Sequence, residues 1–231
     1  MSHFIDVPQG EVTRLILIRH GQTEANVEGR MCGREELPLA PEGLAQVESL
    51  AERLAQFPVS ALYASPQLRA RQTAAILARR LNLAVTLADD LVEYDFGVIS
   101  ELALEEVEAR DPSLYAKLAA WLAAGPEDDI ARPVIPGAED IDAFAARLLC
   151  FKDYVLAAHP GQVVAAVGHG AWIKSLLTLL AGGSLRRKST FWLDPASLTV
   201  VDFSGGYPII RLVNEIAHYS SQLCFVRPLV I

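Results

Sequence analysis

Two segments of the chain bring an apolar run to a stop on His-Gly: Leu15-Ile16-Leu17-Ile18-Arg19-His20-Gly21 and Val163-Val164-Ala165-Ala166-Val167-Gly168-His169-Gly170. Imidazole changes charge near neutral pH, so it can serve as nucleophile, base or cation after small changes of environment. Short continuous apolar runs read as strands buried on both faces. In open α/β sheets ligands gather beyond the carboxyl ends of the strands, so both histidines are expected at a crevice. Gly21 and Gly170 are expected to let backbone approach a ligand closely. A helix starting at either place would offer free N–H groups to an anion.

Arginines point the same way. Arg19 follows four apolar residues directly, so its charge must reach a crevice or a buried partner. Arg69 lies early in Ser65-Pro66-Gln67-Leu68-Arg69-Ala70-Arg71-Gln72-Thr73. Guanidinium groups match phosphate oxygens in a two-pronged geometry. Taken alone, Arg69 or Arg71 reads as a cation on a helix surface. Together with the paired His-Gly ends, these arginines suggest a site for a small anion.

The elements that must hold these residues alternate. After a polar leader over residues 1–13, the first apolar run is a strand. Residues 41–56 read as a helix with Pro41 in its first turn. Residues 61–64 form a second strand, and Ser65-Pro66 opens a helix to about Leu81 with Ser65 as its N-cap. Residues 84–87 form a third strand. The stretch 101–124 is helical with a break at Asp111-Pro112. Residues 125–137 form a loop with three prolines, Pro126, Pro133 and Pro136. A long helix is expected from about Ala138 to Ala158, a fourth strand over 162–167 and a helix over 170–180. Residues 190–193, 197–203 and 207–213 read as strands with turns at Asp194-Pro195 and Gly205-Gly206. This order predicts a three-layer α/β/α sandwich: a mostly parallel central sheet, antiparallel edge strands and a helical cap region. Residues 1–231 read as a single domain, with 101–137 as the cap that sets specificity.

Composition narrows the function classes. With 52% hydrophobic and 21% charged residues, the 231-residue chain can bury a full core. A net charge of -8 disfavours nucleic acid as a partner, although a few local cations suffice for a small anionic substrate. No signal peptide and no membrane-spanning run is expected, which leaves the cytoplasm by default. Cys32, Cys150 and Cys224 make no CxxC pair and read as free thiols. No zinc, calcium or Walker A pattern occurs, so neither metal nor cofactor is expected. His3, His159 and His218 read as structural or surface histidines, and Trp121, Trp172 and Trp192 as packing residues. Arg186-Arg187-Lys188 reads as a solvated loop and Glu105, Glu106 and Glu108 as an exposed helix face. An edge strand leaves homodimer formation open.

Arg19-His20-Gly21-Gln22-Thr23-Glu24-Ala25-Asn26 resembles the signature of the histidine phosphatase superfamily, which includes the cofactor-dependent phosphoglycerate mutases. Ser65-Pro66, Arg69 and Gln72-Thr73-Ala74 resemble its second motif. Leu91-Val92-Glu93-Tyr94-Asp95-Phe96-Gly97 resembles its acid-bearing loop, Pro136-Gly137-Ala138-Glu139 a loop before a long helix, and Gly168-His169-Gly170 its last motif. The resemblance runs over nearly the whole chain.

It implies a metal-independent phosphomonoesterase acting on a small phosphorylated metabolite. His20 would be the nucleophile, its other ring nitrogen donating to a backbone carbonyl. Arg19, Arg69 and a protonated His169 would bind the transferring phosphoryl oxygens, and Asn26 would add a neutral donor. Gln22, Thr23 and Gly170 are further candidates for substrate contact. Glu93 would be the general acid, with Asp95 its rival. One departure stands out: Ile99-Ser100-Glu101 lies where many members carry Trp-Glu-Gly, which changes the expected pocket wall near Glu93. Two other readings remain: a phosphoglycerate mutase, to which the acid loop is less similar, and a non-catalytic phosphate-ligand-binding module on the same fold.

Overall fold

The computed structural model describes residues 12–125, 128 and 130–219. His3, Pro126, Cys224 and most of the expected leader lie outside the described residues. Six strands among the described residues form one sheet: β1 (Thr13–Arg19), β2 (Val59–Ala64), β3 (Val85–Leu87), β4 (Val163–Gly168), β5 (Leu198–Ser204) and β6 (Tyr207–Glu215). Their spatial order is β3-β2-β4-β1-β5-β6. The first four run parallel; β5 is antiparallel to β1, and β6 antiparallel to β5. This is the expected mostly parallel sheet with an antiparallel finish.

Side chains of a strand alternate between faces, and here each face has its own helices. Ile16 and Ile18 join a core with Val47, Leu50 and Leu54 of α2 (Pro41–Leu54) and Leu77 of α3 (Leu68–Leu81). Leu15 and Leu17 point the other way. They pack with Phe144, Leu148 and Phe151 of α6 (Ile141–Ala158) and with Trp172 and Leu176 of α7 (Gly170–Leu180). Burial of each such aliphatic chain contributes about 1.5–3 kcal/mol, which explains why β1 must be apolar on both faces. A short α1 (Glu24–Val27) follows β1. The cap consists of α4 (Leu104–Arg110) and α5 (Pro112–Ala123). It has a small core of its own: Ile99, Leu102, Val107, Leu114, Leu118 and Ile135. Asp111 accepts from Leu114 N–H at 2.9 Å and Pro112 begins α5, so the expected break is a cap and a first-turn proline.

Three local expectations need correction. α3 begins at Leu68, with Gln67 in the N-cap position, because the Ser65 hydroxyl is drawn to another partner described below. The long helix begins at Ile141 rather than at 138. Asp140 caps it, accepting from the N–H groups of Asp142 (3.0 Å) and Ala143 (2.9 Å). Residues 190–193 form no strand. Side chains take their backbone groups instead: Phe191 N–H donates to Ser189 Oγ at 3.3 Å, and the Leu193 carbonyl accepts from Arg19 at 2.6 Å.

The connections from β1 and from β4 leave on opposite sides of the sheet. The helices α2 and α3 cover one face, while α7 covers the other. That divergence opens a crevice at the carboxyl ends of these two central strands. A close approach seals its floor. An added Cβ at Gly21 would stand 2.7 Å from both the Gly43 carbonyl oxygen and Val47 Cγ2, and one at Gly43 would overlap the Gln22 carbonyl. Gly21 therefore makes room for α2. Gly43→Ala is expected to force α2 off this loop and to destabilise the fold by about 1–3 kcal/mol in urea unfolding. An unchanged midpoint would contradict the close packing.

Candidate active site

β1 and β4 run in register to their ends, where Arg19 pairs with Gly168. The next residue continues the ladder: His20 N–H donates to the Gly168 carbonyl at 3.0 Å. His20 and His169 must therefore leave the sheet side by side, and their ring centroids are 5.2 Å apart at 60°. The turn before β5 braces the same point from the other side. Ala196 N–H donates to the His20 carbonyl at 2.9 Å, and Arg19 N–H donates to the Ser197 carbonyl at 3.1 Å.

The tautomer of His20 is fixed from both sides. Its Nδ1 lies 2.7 Å from the Gly21 carbonyl oxygen. That oxygen can only accept, so Nδ1 carries the hydrogen. Arg69 Nε–H donates to His20 Nε2 at 3.2 Å, so Nε2 presents a lone pair. Burial, then the Arg69 and Arg19 guanidinium groups, hold this imidazole well below its usual 6.5. Near neutral pH it is an uncharged ring with one bare nitrogen, which is what a nitrogen nucleophile requires.

Carbonyls and side chains of distant loops orient Arg69, which is only 1% exposed. Its two terminal nitrogens donate to the carbonyls of Glu35 and Gly33, both at 2.7 Å. Gln67 works as a brace between loops. Its Nε2 donates to the same Gly33 carbonyl at 2.7 Å, and its Oε1 accepts from Glu93 N–H at 2.9 Å. Arg19 donates through one terminal nitrogen to the Leu193 carbonyl at 2.6 Å. Its Nε is buried with no hydrogen-bond partner. Gly170 lies under this guanidinium: an added Cβ would meet Arg19 Nε at 3.3 Å and Cζ at 3.4 Å. Gly170 thus gives Arg19 its seat.

His169 rests on Ser65, whose hydroxyl lies 2.8 Å from its Nε2. The other ring nitrogen, Nδ1, is buried without a partner. Burial first, then Arg69, His20, Arg19 and Arg147, push this ring well below 6.5. With cations around it, no exposure and no anion bound, the ring is neutral. A phosphate dianion acts in the opposite sense and favours a proton on Nδ1.

Glu93 sits at the start of α7. Oε1 accepts from the N–H groups of Tyr94 and Trp172, both at 2.8 Å, and Oε2 from that of Ala171 at 2.9 Å. These donors and Arg69 favour the carboxylate, yet burial outweighs them and raises its pKa above 4.5. The rival Asp95 is turned away: it accepts from Gly97 N–H at 2.9 Å and faces Arg34 at 3.7 Å. Arg147 holds the acid loop in place, a role no sequence spacing announced. It pairs with Glu139 through two bonds of 2.7 and 2.9 Å and donates to the carbonyls of Asp90, Val92 and Glu93. Ile99, at the departure from the family pattern, packs into the cap core. Glu101 takes a left-handed φ of 64° and donates its N–H to Met31.

The remaining candidates are close in sequence but engaged elsewhere. Thr23 and Asn26 close a reciprocal cap on α1, with Thr23 N–H to Asn26 Oδ1 at 3.1 Å and Asn26 N–H to Thr23 Oγ1 at 3.3 Å. Asn26 Nδ2 is left as a donor. Gln22 pairs with Gln46 through its backbone and its side chain. Neither Gln22, Thr23 nor Asn26 hydrogen-bonds His20, Arg19, Arg69 or His169. His159 is structural as expected, its Nε2 2.8 Å from the Tyr63 hydroxyl. Trp172 is wholly buried, whereas Trp192 is 44% exposed and is not core. Among the described residues no group of three His, Cys, Asp or Glu could hold a metal ion. No helix there is long and apolar enough to cross a membrane.

Comparison with known proteins gives a consistent result. The family model described as "Histidine phosphatase superfamily (branch 1)" matches residues 15–216. The bifunctional protein Rv2228c of Mycobacterium tuberculosis is 37% identical over 209 residues, covering 90% of this chain and 55% of that protein. The chain thus spans about half the length of the first curated relatives it matches. The metal-independent phosphoserine phosphatase of Arabidopsis thaliana is 30% identical over 216 residues, covering 92% of this chain and 86% of the relative. Among solved structures, the phosphoserine phosphatase of Entamoeba histolytica in complex with 3-phosphoglyceric acid is similar at a TM-score of 0.75 and 26% identity. It covers 89% of this chain and 98% of its own.

The neutral imidazoles have a measurable consequence. Unfolded, His20 and His169 titrate near 6.5; folded, both refuse a proton until well below it. As pH falls through that value the unfolded chain binds protons that the folded chain does not, so stability is lost on the acid side. The urea midpoint is expected to decline from about pH 7.5 to about pH 5.5, and to decline less in His169→Gln. A wild-type midpoint that is flat over that interval, or an equal slope in the variant, would contradict the assignment.

Proposed function

The chain belongs to the histidine phosphatase superfamily, and on that footing we propose that it hydrolyses a small phosphorylated metabolite through a phosphohistidine on His20, without a metal. The observation that carries this reading is the His20 ring: Nδ1–H is tied to the Gly21 carbonyl and the Nε2 lone pair faces Arg69. The phosphatase relatives support the reaction class.

In the first step the substrate phosphate draws Arg69 Nε–H away from His20 Nε2. The phosphoryl oxygens take donors from Arg69, from the partnerless Arg19 Nε and from His169 Nδ1, which gains its proton as the dianion arrives. Nε2 attacks phosphorus in line; the P–N bond forms while the ester P–O bond breaks. Protonated Glu93 gives its proton to the leaving alkoxide, a contribution of roughly 10²–10⁴ in rate. In the second step the Glu93 carboxylate takes a proton from water. The water oxygen attacks phosphorus, the P–N bond breaks and inorganic phosphate departs. Asn26 Nδ2 adds a neutral donor, Gln22 and Thr23 shape the loop beside it, and Gly170 seats Arg19. The cap over residues 101–137 would set the substrate.

His20→Ala is expected to abolish release of inorganic phosphate from p-nitrophenyl phosphate while leaving the fold intact by circular dichroism. EDTA is expected to leave the wild-type rate unchanged. Full activity in the variant would remove His20 as nucleophile, and a rate lost to EDTA and restored by a divalent ion would remove the metal-free mechanism. Conversion of 3-phosphoglycerate to 2-phosphoglycerate faster than phosphate release would make the chain a mutase instead.

A further inference from the structure

The proposed mechanism leaves one cation beside the site unused. Lys174 stands four residues after Gly170 on α7, one turn along the same helix face. The Arg19 guanidinium lies over Gly170, and its charge acts on the Lys174 ammonium. Helical side chains lean toward the helix N-terminus, which in α7 is the His169 end, so the Lys174 stem is directed back toward the pocket. Its ammonium lies 5.0 Å from the centroid of the Trp192 ring. Trp192 is adjacent to Leu193, whose carbonyl holds Arg19. Two cations and one aromatic face, Arg19, Lys174 and Trp192, are thereby gathered beside the site.

No acceptor satisfies this ammonium. Among the described residues the Lys174 ammonium makes neither a hydrogen bond nor an ion pair, while the Lys174 carbonyl accepts from the Thr178 hydroxyl at 2.8 Å. The two carboxylates near it are committed elsewhere. Glu93 takes three backbone N–H groups. Asp194 accepts from Asn214 Nδ2 at 2.9 Å and from Trp192 Nε1 at 3.3 Å. Burial, followed by repulsion from Arg19, pulls the Lys174 pKa down to about 8. Placing a half-buried ammonium beside a guanidinium with no acceptor is unfavourable by itself. It becomes favourable when a second anion enters with the substrate. The surface alternative, an ammonium reaching for bulk water past an apolar stem, accounts for neither the Arg19 neighbour nor the half-exposed indole over it.

We propose that Lys174 and Trp192 form a second anion subsite next to the phosphoryl pocket, one that takes the carboxylate of a short phosphorylated hydroxy or amino acid. One helix turn is about 5.4 Å, which suits two anionic groups joined by a stem of two or three carbons. The indole covers that stem, and the ammonium takes the carboxylate in a charge-assisted hydrogen bond. This inference rests on the phosphatase reading above.

Two substrates separate it from that reading. Glycerol 3-phosphate differs from 3-phosphoglycerate only in carrying a hydroxymethyl group in place of the carboxylate. The wild type is expected to prefer 3-phosphoglycerate in kcat/KM. In Lys174→Met, which keeps an apolar stem against Trp192, the ratio between the two esters is expected to fall about tenfold, mainly through KM. The wild-type preference should weaken as pH rises through about 8, and Lys174→Arg should retain it at higher pH. A wild type that turns over both esters without preference overturns the subsite alone. An unchanged ratio in Lys174→Met, or an equal loss on both esters, overturns it as well. A wild type inactive on both esters and on p-nitrophenyl phosphate overturns the phosphatase reading and the subsite with it.

Discussion

The last rung of the β1–β4 ladder pairs Arg19 with Gly168, and His20 N–H reaches back to the same Gly168 carbonyl. Parallel strands in register end at the same height, so two His-Gly sequences more than a hundred residues apart emerge as neighbours. Had the register slipped by one residue, the alternating side chains of β1 would have exchanged faces. Leu15 and Leu17 would then have lost the core of α6 and α7. The hydrophobic packing that selects the register thus also sets the spacing of the two imidazoles. The turn through Ala196 and Ser197 locks the end of β1 from the opposite side, with Ala196 held at a left-handed φ of 54°.

Around that point the protein collects positive charge where water is excluded. Arg69, His20 and His169 are buried and Arg19 is partly buried, and the cost of burying the guanidinium groups is met by carbonyls of loops far away in sequence. Fixed dipoles of this kind need not reorganise when charge develops on a transferring phosphoryl group. Burial, reinforced by that field, keeps both imidazoles neutral, and burial raises the Glu93 carboxyl, so that a base-like nitrogen and an acid-like carboxyl coexist in one small volume. Environments that push titratable groups apart in this way are the physical basis for dividing nucleophile and acid between them.

Much of this was legible in the residues themselves. Apolar runs ending in His-Gly placed both histidines correctly, because a strand buried on both faces has a strong sequence signature. Arg69 was legible as part of a motif rather than as a lone cation. What escaped were contacts set by tertiary geometry. Ser65 read as a helix cap, yet its hydroxyl holds His169, since a serine offers the same atom to either partner. Arg147 lies mid-helix, and its carbonyl partners belong to a loop more than fifty residues earlier. Gly21 and Gly170 were recognised as special, but the neighbours that require them are α2 and Arg19. Residues 190–193 had strand-like composition, but the Ser189 and Arg19 side chains take the backbone groups of Phe191 and Leu193, partners visible only in the folded chain.

The central claim is that Nε2 of His20 forms a covalent bond to phosphorus. Rapid quenching of wild-type protein during turnover of a ³²P-labelled ester, followed by peptide mapping and phosphorus NMR, tests it directly. The expected result is an acid-labile, alkali-stable phosphoryl group on His20 at the ring nitrogen remote from Gly21, appearing and decaying at rates compatible with turnover. Label on His169, on a carboxylate, or on no residue at all while phosphate is released would contradict it.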